Sequence, residues 1–247
     1  MVENAYHTAA RQEELLQMMK ELHSFLEQNE IAYSLSSGSL LGAIRHHGFV
    51  PWDDDIDLMM DRANYTRLLD ILANCDGYVV QKSLWIYRVR RKADEHLGDK
   101  APTIDLFVID AVPKSRLLRK YKLLRLMMLQ GMMKKEADYS KFSFYYCACL
   151  RVTHWLGKLV PYERKFEKYD RVSQIGSKRP SEYVGCYNGL FRCLPLCYRR
   201  DLMDQTSLRA FADTEFQTID LYDHYLTVMY GDYMTPPPEA ERKPMHL

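Results

Sequence analysis

Three aspartates at alternating positions are the residues of this 247-residue chain best suited to chemistry. Asp53, Asp55 and Asp57 lead into an apolar segment at 58–60. In a strand over 55–60, the side chains of Asp55 and Asp57 would point to the same face. Two carboxylates on one face repel each other unless a cation lies between them, and a hard, oxygen-binding cation suits that position. The spacing therefore predicts a site for Mg²⁺ or Mn²⁺.

A glycine–serine turn stands upstream of these carboxylates. Gly38 and Ser39 are predicted to open a short helix that ends at Arg45. Glycine permits close backbone approach, and the free N–H groups at a helix start favour phosphate. Arg45 would add a positive charge or pair with one of the aspartates. Phosphate-binding groups beside metal-binding carboxylates indicate phosphoryl or nucleotidyl transfer.

The alternative to a metal site is a solvated turn, which runs of aspartate often form. Pro51 and Trp52 precede the run and apolar residues follow it, and a solvated turn is not expected to enter an apolar strand. Within the run, we expect Asp53 to support the metal-binding pair from the same face and Asp54 to cap a turn. The surroundings therefore favour the metal site.

The composition bounds the class of protein. Lys and Arg number 34 against 33 Asp and Glu, so a net charge of +1 gives no strong field for nucleic acid, and no nucleic-acid partner is expected. The sequence shows no signal peptide and no apolar run of the roughly 18 residues that span a bilayer. We therefore expect a cytoplasmic protein with free thiols, with the inner face of the membrane as an alternative place of action.

Three of the six cysteines are candidate zinc ligands: Cys186, Cys193 and Cys197. They contain no pair at the two-residue separation that is typical of zinc sites, and the segment 194–196 between two of them is apolar. Small buried thiols are favoured over a zinc site.

Hydrophobic periodicity places these motifs on an ordered series of elements. Helices are predicted over 8–29, 62–75, 115–135, 142–160, 163–173 and 223–231, and strands over 31–36, 55–60, 78–81, 85–90, 103–110 and 213–219. The basic cluster of Arg88, Arg90, Arg91 and Lys92 follows the strand at 85–90. It is either a solvated strand end, which is favoured, or a phosphate clamp.

The motif resembles the LicD family, which includes the fukutin-type proteins and belongs to the nucleotidyltransferase superfamily. The matching residues are Gly38-Ser39-Leu40-Leu41-Gly42, Arg45-His46, Gly48-Phe49 and Pro51-Trp52-Asp53-Asp54-Asp55-Ile56-Asp57. A tail at 230–238, Tyr-Gly-Asp-Tyr-Met-Thr-Pro-Pro-Pro, and the later His246 also match. The resemblance covers roughly residues 30–110 and 220–247.

The resemblance implies an α+β fold with a nucleotidyltransferase-like core, in which helices flank a mixed sheet. We expect one domain over 1–247 with a helical insertion at about 115–175. In the superfamily a third carboxylate on a neighbouring strand completes the metal site, and Asp105 fits that place. Asp110, at the predicted strand end, is the second candidate.

The resemblance also implies an activity: transfer of a phosphorylated alcohol, most often phosphocholine, from a CDP-activated donor to a glycan hydroxyl, with release of CMP. The acceptor would be a cell-surface or lipid-linked glycan, as in lipopolysaccharide or teichoic acid biosynthesis. Asp55, Asp57 and Asp105 would bind the metal and act in catalysis, with Asp105 taking the hydroxyl proton. Gly38, Ser39, Arg45, Trp52 and Asp53 would bind the donor.

Several interpretations remain open at this level. Trp52 is either a core residue, which is favoured, or a ring that faces a quaternary ammonium group. The basic, Leu/Met-rich helix at 115–135 either packs on the core, which is favoured, or lies on an anionic membrane surface. The same Gly-Ser and Asp motif would also serve a nucleotidyltransferase that modifies protein or RNA, or a silent nucleotide- or glycan-binding module.

Overall fold

The computed structural model describes residues 6–134 and 144–244, with only the backbone described at 99–100 and 144–149. Two compact units are present. The first comprises Met1–Gln81, Tyr87–Ile109 and Asp201–Leu247, and the second comprises Lys82–Ile86 and Asp110–Arg200. The main elements are α1 (Ala9–Gln28), β1 (Ser34–Leu35), α2 (Ser37–Arg45), β2 (Asp57–Asp61), α3 (Arg62–Leu72), β3 (Tyr78–Ser83), β4 (Ile86–Arg91), β5 (Ile104–Pro113), α4 (Arg116–Met133), α5 (Phe144–Lys158), α6 (Tyr162–Ser173), β6 (Pro180–Cys186), β7 (Tyr198–Arg199), β8 (Thr206–Phe211), β9 (Thr214–Ile219) and α7 (Tyr222–Tyr230).

The sheet that carries the aspartates is mixed, with the strand order β1-β2-β5-β4-β3. β2 and β5 pair in parallel, whereas β1 is antiparallel to β2 and β4 is antiparallel to β5. β8 and β9 form a separate antiparallel pair. The expected α+β class, with helices around a mixed sheet, is therefore confirmed.

β2 and β5 form the interior of this sheet because their sequences are apolar at nearly every position. Leu58, Met59 and Met60 of β2 are all fully buried, and so are Ile104 and Leu106 of β5. Burial of successive residues means that both faces of the strands are covered, as is usual for parallel pairs. The carboxylates on these strands are consequently held in a rigid, water-poor setting.

The structure corrects some predicted boundaries. β2 begins at Asp57, so Asp55 lies in the irregular segment before the strand. The prediction of a strand over 55–60, with Asp55 and Asp57 on one face of it, is therefore wrong. Pairing to β5 starts only there, with Ile56 O accepting from Asp105 N at 2.8 Å. β5 continues to Pro113, so Asp110 lies within the strand, and β8 was missed altogether.

The second unit contains α4, α5, α6 and the antiparallel pair β6–β7. The predicted helices at 115–135 and 142–160 match α4 and α5 where they are described, while residues 135–143 lie outside the described residues. Gln130 of α4 donates to Tyr169 of α6 at 2.9 Å in the unit's interior. The prediction of one domain with a helical insertion stays a prediction.

Among the described residues, no helix has both the length and the apolar composition needed to span a bilayer.

Candidate active site

Asp57, Asp105 and Arg88 form a row across three neighbouring strands. Asp57 is the register partner of Asp105 in the parallel β2–β5 pair, and Arg88 is its register partner in the antiparallel β4–β5 pair. Register partners in a sheet share a face, so the three side chains lie side by side. Arg88 Nε donates to Asp105 Oδ1 at 2.8 Å, which makes an ion pair beside Asp57.

Asp57 is the carboxylate in this row whose pKa is raised by its surroundings. Burial raises the pKa of Asp57 well above its usual value, and the charges of Asp55, Asp105 and Asp53 raise it further, in that order. A hydrogen bond from the backbone of Gly38 opposes the rise. Three carboxylates thus act on a fourth, buried one, and a divalent cation would relieve their repulsion.

The start of α2 is built against these carboxylates. Ser39 Oγ accepts from the backbone N–H of Asp57 at 2.9 Å, while Gly38 hydrogen-bonds the Asp57 carboxylate through its backbone. Negative groups are stabilised at a helix N-terminus. A Cβ at Gly38 would lie 2.3 Å from Asp53 Oδ2, so any larger residue there would displace the Asp53 carboxylate.

The backbone just before this glycine is strained. Ser37 has a φ of 44°, in the left-handed region that serine rarely adopts. The hydroxyl of Tyr225 from α7 holds this turn, lying 2.8 Å from Ser36 Oγ and accepting from Ser37 N at 3.4 Å. Strain held in place by tertiary contacts is typical of functional sites.

The loop between α2 and β2 is fixed at several points. A Cβ at Gly42 would lie 2.3 Å from Gly48 O, so the loop packs directly on the backbone of α2. His47 O accepts from Ala212 N at 2.7 Å, which ties the loop to the β8–β9 pair. Thr8 Oγ1 also donates to Pro51 O at 2.8 Å. The loop that carries the aspartate run is therefore pinned by α2, β8–β9 and the start of α1.

The aspartates of the loop differ in their surroundings. Asp53 closes a turn through its N–H to Val50 O at 2.9 Å, and its carbonyl accepts from Gln12 Nε2 at 2.7 Å. Asp54 is buried, with 2% of its surface exposed, and Asp55 is half-buried. The structure thus brings Asp53, Asp55, Asp57 and Asp105 into one electrostatic cluster.

No three His, Cys, Asp or Glu side chains within residues 6–134 and 144–244 already converge as a metal site. The described thiols of Cys186, Cys193 and Cys197 therefore give no support to zinc. The aspartate cluster still fits a hard cation, because its groups are carboxylates and the charges of its other members raise the pKa of the buried Asp57.

Arg45 pairs with none of the aspartates in the described part of the chain. Its Nη1 donates to the carbonyl of Tyr233 at 2.5 Å, and its Nε lies 3.4 Å from His46 Nδ1. Tyr233 Oη in turn donates to Asp223 at 2.8 Å. The described part of the tail is thus tied to the end of α2, whereas His246 lies outside the described residues.

Trp52 is half-buried and already faces a cation. The guanidinium of Arg242 lies 5.4 Å from the centroid of the indole ring. Tyr6 and His46 meet the ring edge-on at centroid distances of 5.9 and 6.4 Å. Trp52 therefore has an indole face that already lies against a cation of the chain itself.

The basic cluster divides between the two faces of β4. Arg88 and Arg90 are two residues apart and share the face of Asp105. Arg91 pairs with Glu21 at 2.8 Å on the other face, so the cluster is not a single clamp. Arg90 is buried, and its Nε has no hydrogen-bond partner among the described residues, while its Nη2 lies 3.9 Å from Glu95.

Sequence reasoning did not foresee the pairing of Arg88 with Asp105. The one feature of the sequence that pointed to it is the alternation along the predicted strand at 85–90, which puts Arg88 and Arg90 on one face. Alternation along β5 also separates the two carboxylate candidates, since Asp105 and Asp110 are five residues apart and lie on opposite faces. Of the two, Asp105 is the residue on the face of Asp57.

Comparisons with known proteins show which proteins the chain is similar to. Residues 30–111 match the family described as LicD/FKTN/FKRP, nucleotidyltransferase domain. The chain is 30% identical over 261 residues to the lipopolysaccharide cholinephosphotransferase LicD of Haemophilus influenzae, covering 94% of this chain and 93% of that protein. It is also 43% identical over 68 residues to an uncharacterized protein of Rickettsia prowazekii, covering 27% of this chain and 26% of that protein.

A mixed sheet with clustered carboxylates beside a helix N-terminus defines a candidate phosphate-chemistry site. Together with the near full-length similarity, it identifies the family: the chain belongs to the LicD family.

Proposed function

We propose that this protein transfers phosphocholine from a CDP-activated donor to a hydroxyl of a cell-surface glycan and releases CMP. The observation that carries the proposal is the row of Asp57, Asp105 and Arg88 on one sheet face, in which both carboxylates are buried and Asp57 lies against the start of α2. The similarity to a lipopolysaccharide cholinephosphotransferase supports the choice of phosphocholine and of a glycan acceptor.

The core is proposed to be nucleotidyltransferase-like, with Asp55, Asp57 and Asp105 as ligands of Mg²⁺ or Mn²⁺. Asp53 would support these ligands from its place against Gly38. Bound there, the ion would neutralise charge on the donor pyrophosphate. The raised pKa of Asp57 supports this assignment, because a buried carboxylate surrounded by others is stabilised by an added cation.

Asp105 is proposed as the general base. The acceptor oxygen forms a bond to the phosphorus that carries choline, and the bond from that phosphorus to the bridging oxygen breaks. The bridging oxygen and its electron pair leave with CMP, and the hydroxyl proton moves to Asp105. The Arg88 ion pair, at 2.8 Å, orients the Asp105 carboxylate.

Arg90 is proposed to bind a donor phosphate. It lies on the same sheet face as Asp105, and its buried Nε has no hydrogen-bond partner among the described residues. A buried donor left unpaired is costly, so a phosphate oxygen would satisfy it. Gly38, Ser39 and Arg45 would contribute further contacts to the donor from both ends of α2.

Trp52 is proposed to recognise the choline end of the donor. Its ring already has a cation 5.4 Å from its centroid, the guanidinium of Arg242. A trimethylammonium group binds an aromatic face by the same attraction. Ethanolamine has a smaller cation, and glycerol and ribitol have none, so this ring would favour choline among the CDP-alcohols.

A donor screen examines the proposal. The purified protein would be mixed with CDP-choline, CDP-ethanolamine, CDP-glycerol or CDP-ribitol, with and without Mg²⁺, and its melting temperature recorded. A ligand that binds only the folded state raises the apparent stability. The largest rise is expected with CDP-choline and Mg²⁺ together. An equal or larger rise with a CDP-alcohol that lacks an ammonium group would contradict the choice of phosphocholine.

A further inference from the structure

Helix α4 has two apolar stripes, and only one of them is covered. The inner stripe of Leu126, Leu129 and Met133 is buried. The outer stripe recurs at the same helical spacing but faces solvent. It consists of Leu117, Tyr121, Leu124 and Met128, with exposed fractions of 79%, 49%, 58% and 40%.

The neighbouring helix α5 exposes a stripe of the same kind. It consists of Val152 and Trp155, with exposed fractions of 57% and 62%, and it is continued by Leu159, 67% exposed, directly after the helix ends. The two helices are in close contact, because a Cβ at Gly131 would lie 2.6 Å from Thr153 Oγ1. Single exposed apolar residues are ordinary, but stripes on two touching helices mark an interaction surface.

The charged residues within α4 and α5 themselves all have one sign. Residues 114–134 and 150–162 contain Lys and Arg but no Asp or Glu. Lys120 and Arg125 flank the outer stripe of α4 on either side of the helix. The Arg125 guanidinium lies 5.9 Å from the ring of Tyr121, so it borders the apolar side chains directly. On α5, Arg151 and Lys158 are exposed next to the apolar residues.

We propose that the helix pair α4–α5 binds the surface of a membrane that contains anionic lipid. Apolar side chains enter the boundary between head groups and acyl chains, while Lys and Arg contact the anionic head groups. A protein partner would have to present an apolar and acidic face, whereas an anionic bilayer offers both features everywhere on its surface. This proposal does not depend on the proposed activity.

Vesicle sedimentation of the whole protein tests the proposal. Wild type would be mixed with vesicles of phosphatidylcholine alone or with about one-third phosphatidylglycerol, at low and high salt. We expect binding to the anionic vesicles, weakened by salt, and little binding to the neutral ones. Equal binding to both kinds of vesicle, or binding to neither at low salt, would overturn the proposal.

Matched variants locate the surface. The double change Leu117→Ser and Leu124→Ser removes two exposed leucines of α4 and should weaken vesicle affinity about tenfold or more. Lys120→Gln with Arg125→Gln should reduce mainly the salt-sensitive part of binding. The control is Leu208→Ser on β8, which has a comparable 48% exposure in the first unit and should bind as wild type does.

Further readouts separate this proposal from its alternatives. All variants should melt near the wild-type temperature, because the changed side chains are largely exposed. Turnover of a soluble acceptor should be unchanged, so failure of vesicle binding and failure of the proposed activity are distinguishable. Unaltered vesicle binding by the leucine double variant would overturn the proposal. The proposal would also be overturned if wild type did not bind vesicles but formed a dimer without lipid, and if the leucine double variant abolished that dimer.

Discussion

Asp57 and Asp105 stand in register on two neighbouring parallel strands, and both are almost completely buried. Arg88 pairs with Asp105, while burial and the surrounding carboxylates raise the pKa of Asp57. The folded protein therefore holds a carboxylate where its charge opposes folding. Proteins tolerate such an arrangement where function requires it.

The first prediction concerns Asp57→Asn. The amide keeps the shape of the side chain and removes the charge, so the variant should melt at a higher temperature than wild type in EDTA. Because the folded-state pKa of Asp57 is raised, Asp57 lowers the free energy of unfolding only at pH values where its carboxyl is ionised in the unfolded chain. The gain should therefore be largest above the folded pKa and should vanish as the pH falls below the unfolded value. Turnover should fall by about 100-fold or more.

The control for this change is Asp70→Asn, which alters an exposed aspartate on α3. It should change neither the melting temperature nor turnover appreciably. A melting temperature of Asp57→Asn below that of wild type at neutral pH in EDTA would show that Asp57 stabilises the fold and that its charge is already compensated.

The second prediction concerns metal binding. Adding Mg²⁺ to metal-free wild type should raise its melting temperature in a concentration-dependent way, because the ion binds the folded state. Asp55→Asn, Asp57→Asn and Asp105→Asn should each lose most of this shift, while Asp70→Asn should retain it. Calorimetric titration with Mg²⁺ and Mn²⁺ provides an independent affinity. If Mg²⁺ raised the melting temperature of all three site variants as much as that of wild type, the metal would not bind at the aspartate cluster.

The third prediction concerns Gly38→Ala. The added methyl group would lie 2.3 Å from Asp53 Oδ2, so the Asp53 carboxylate must move, and both turnover and stability should fall. Gly77→Ala is the control, because its methyl group meets only Cys75 Sγ at 3.6 Å, an ordinary contact. The double variant with Asp53→Ala should recover stability, with a coupling free energy of about 0.5–3 kcal/mol. Additive losses would show that the two residues do not compete for this space.

The fourth prediction separates the arginines of β4. Arg88→Met removes a charge-assisted hydrogen bond to Asp105, and Arg90→Met removes the proposed phosphate contact, so each should lower kcat/KM by about 10- to 100-fold. Arg90→Met should act mainly by raising KM for the CDP-alcohol. Arg91→Met is the matched control on the opposite face. Equal losses in all three variants would indicate a general effect of charge on the sheet rather than a site on one face.

The fifth prediction concerns substrate choice. Trp52→Leu keeps an apolar side chain but removes the aromatic face, so kcat/KM for CDP-choline relative to CDP-glycerol should fall about 2- to 30-fold. Trp52→Phe should retain part of the preference. If Trp52→Leu lowered both values by the same factor, the indole would serve only to support the loop.

Much of the candidate site can be proposed from sequence because most of its residues lie within the segment 38–57. The alternation of Asp55 and Asp57, the glycine at 38 and the apolar strand around Asp105 each express a local constraint. The same local pattern was misleading for Asp55, since alternation continues through the irregular segment that precedes β2. The residue at which a strand begins depends on where its partner strand pairs with it. The alternation of residues along one segment gives no information about that pairing.

What sequence could not provide came from contacts between distant segments. Arg88 and Asp105 meet because β4 is antiparallel to β5 in one particular register, and the tie of Arg45 to Tyr233 joins α2 to the tail. The helix at 115–135 shows a further limit. Its Leu/Met content predicted core packing, and one stripe is indeed buried, but Lys122 is buried as well and a second apolar stripe is exposed.

The proposed reaction is examined most directly by identifying both of its products. The protein would be incubated with CDP-choline, Mg²⁺ and a lipopolysaccharide-type glycan, and the acceptor mass and the released nucleotide would be measured. The acceptor should gain phosphocholine while CMP appears in equal amount, and Asp57→Asn should form both products about 100-fold or more slowly. Transfer of the nucleotide itself to the acceptor, with free phosphocholine released, or full turnover by Asp57→Asn, would contradict the proposed mechanism.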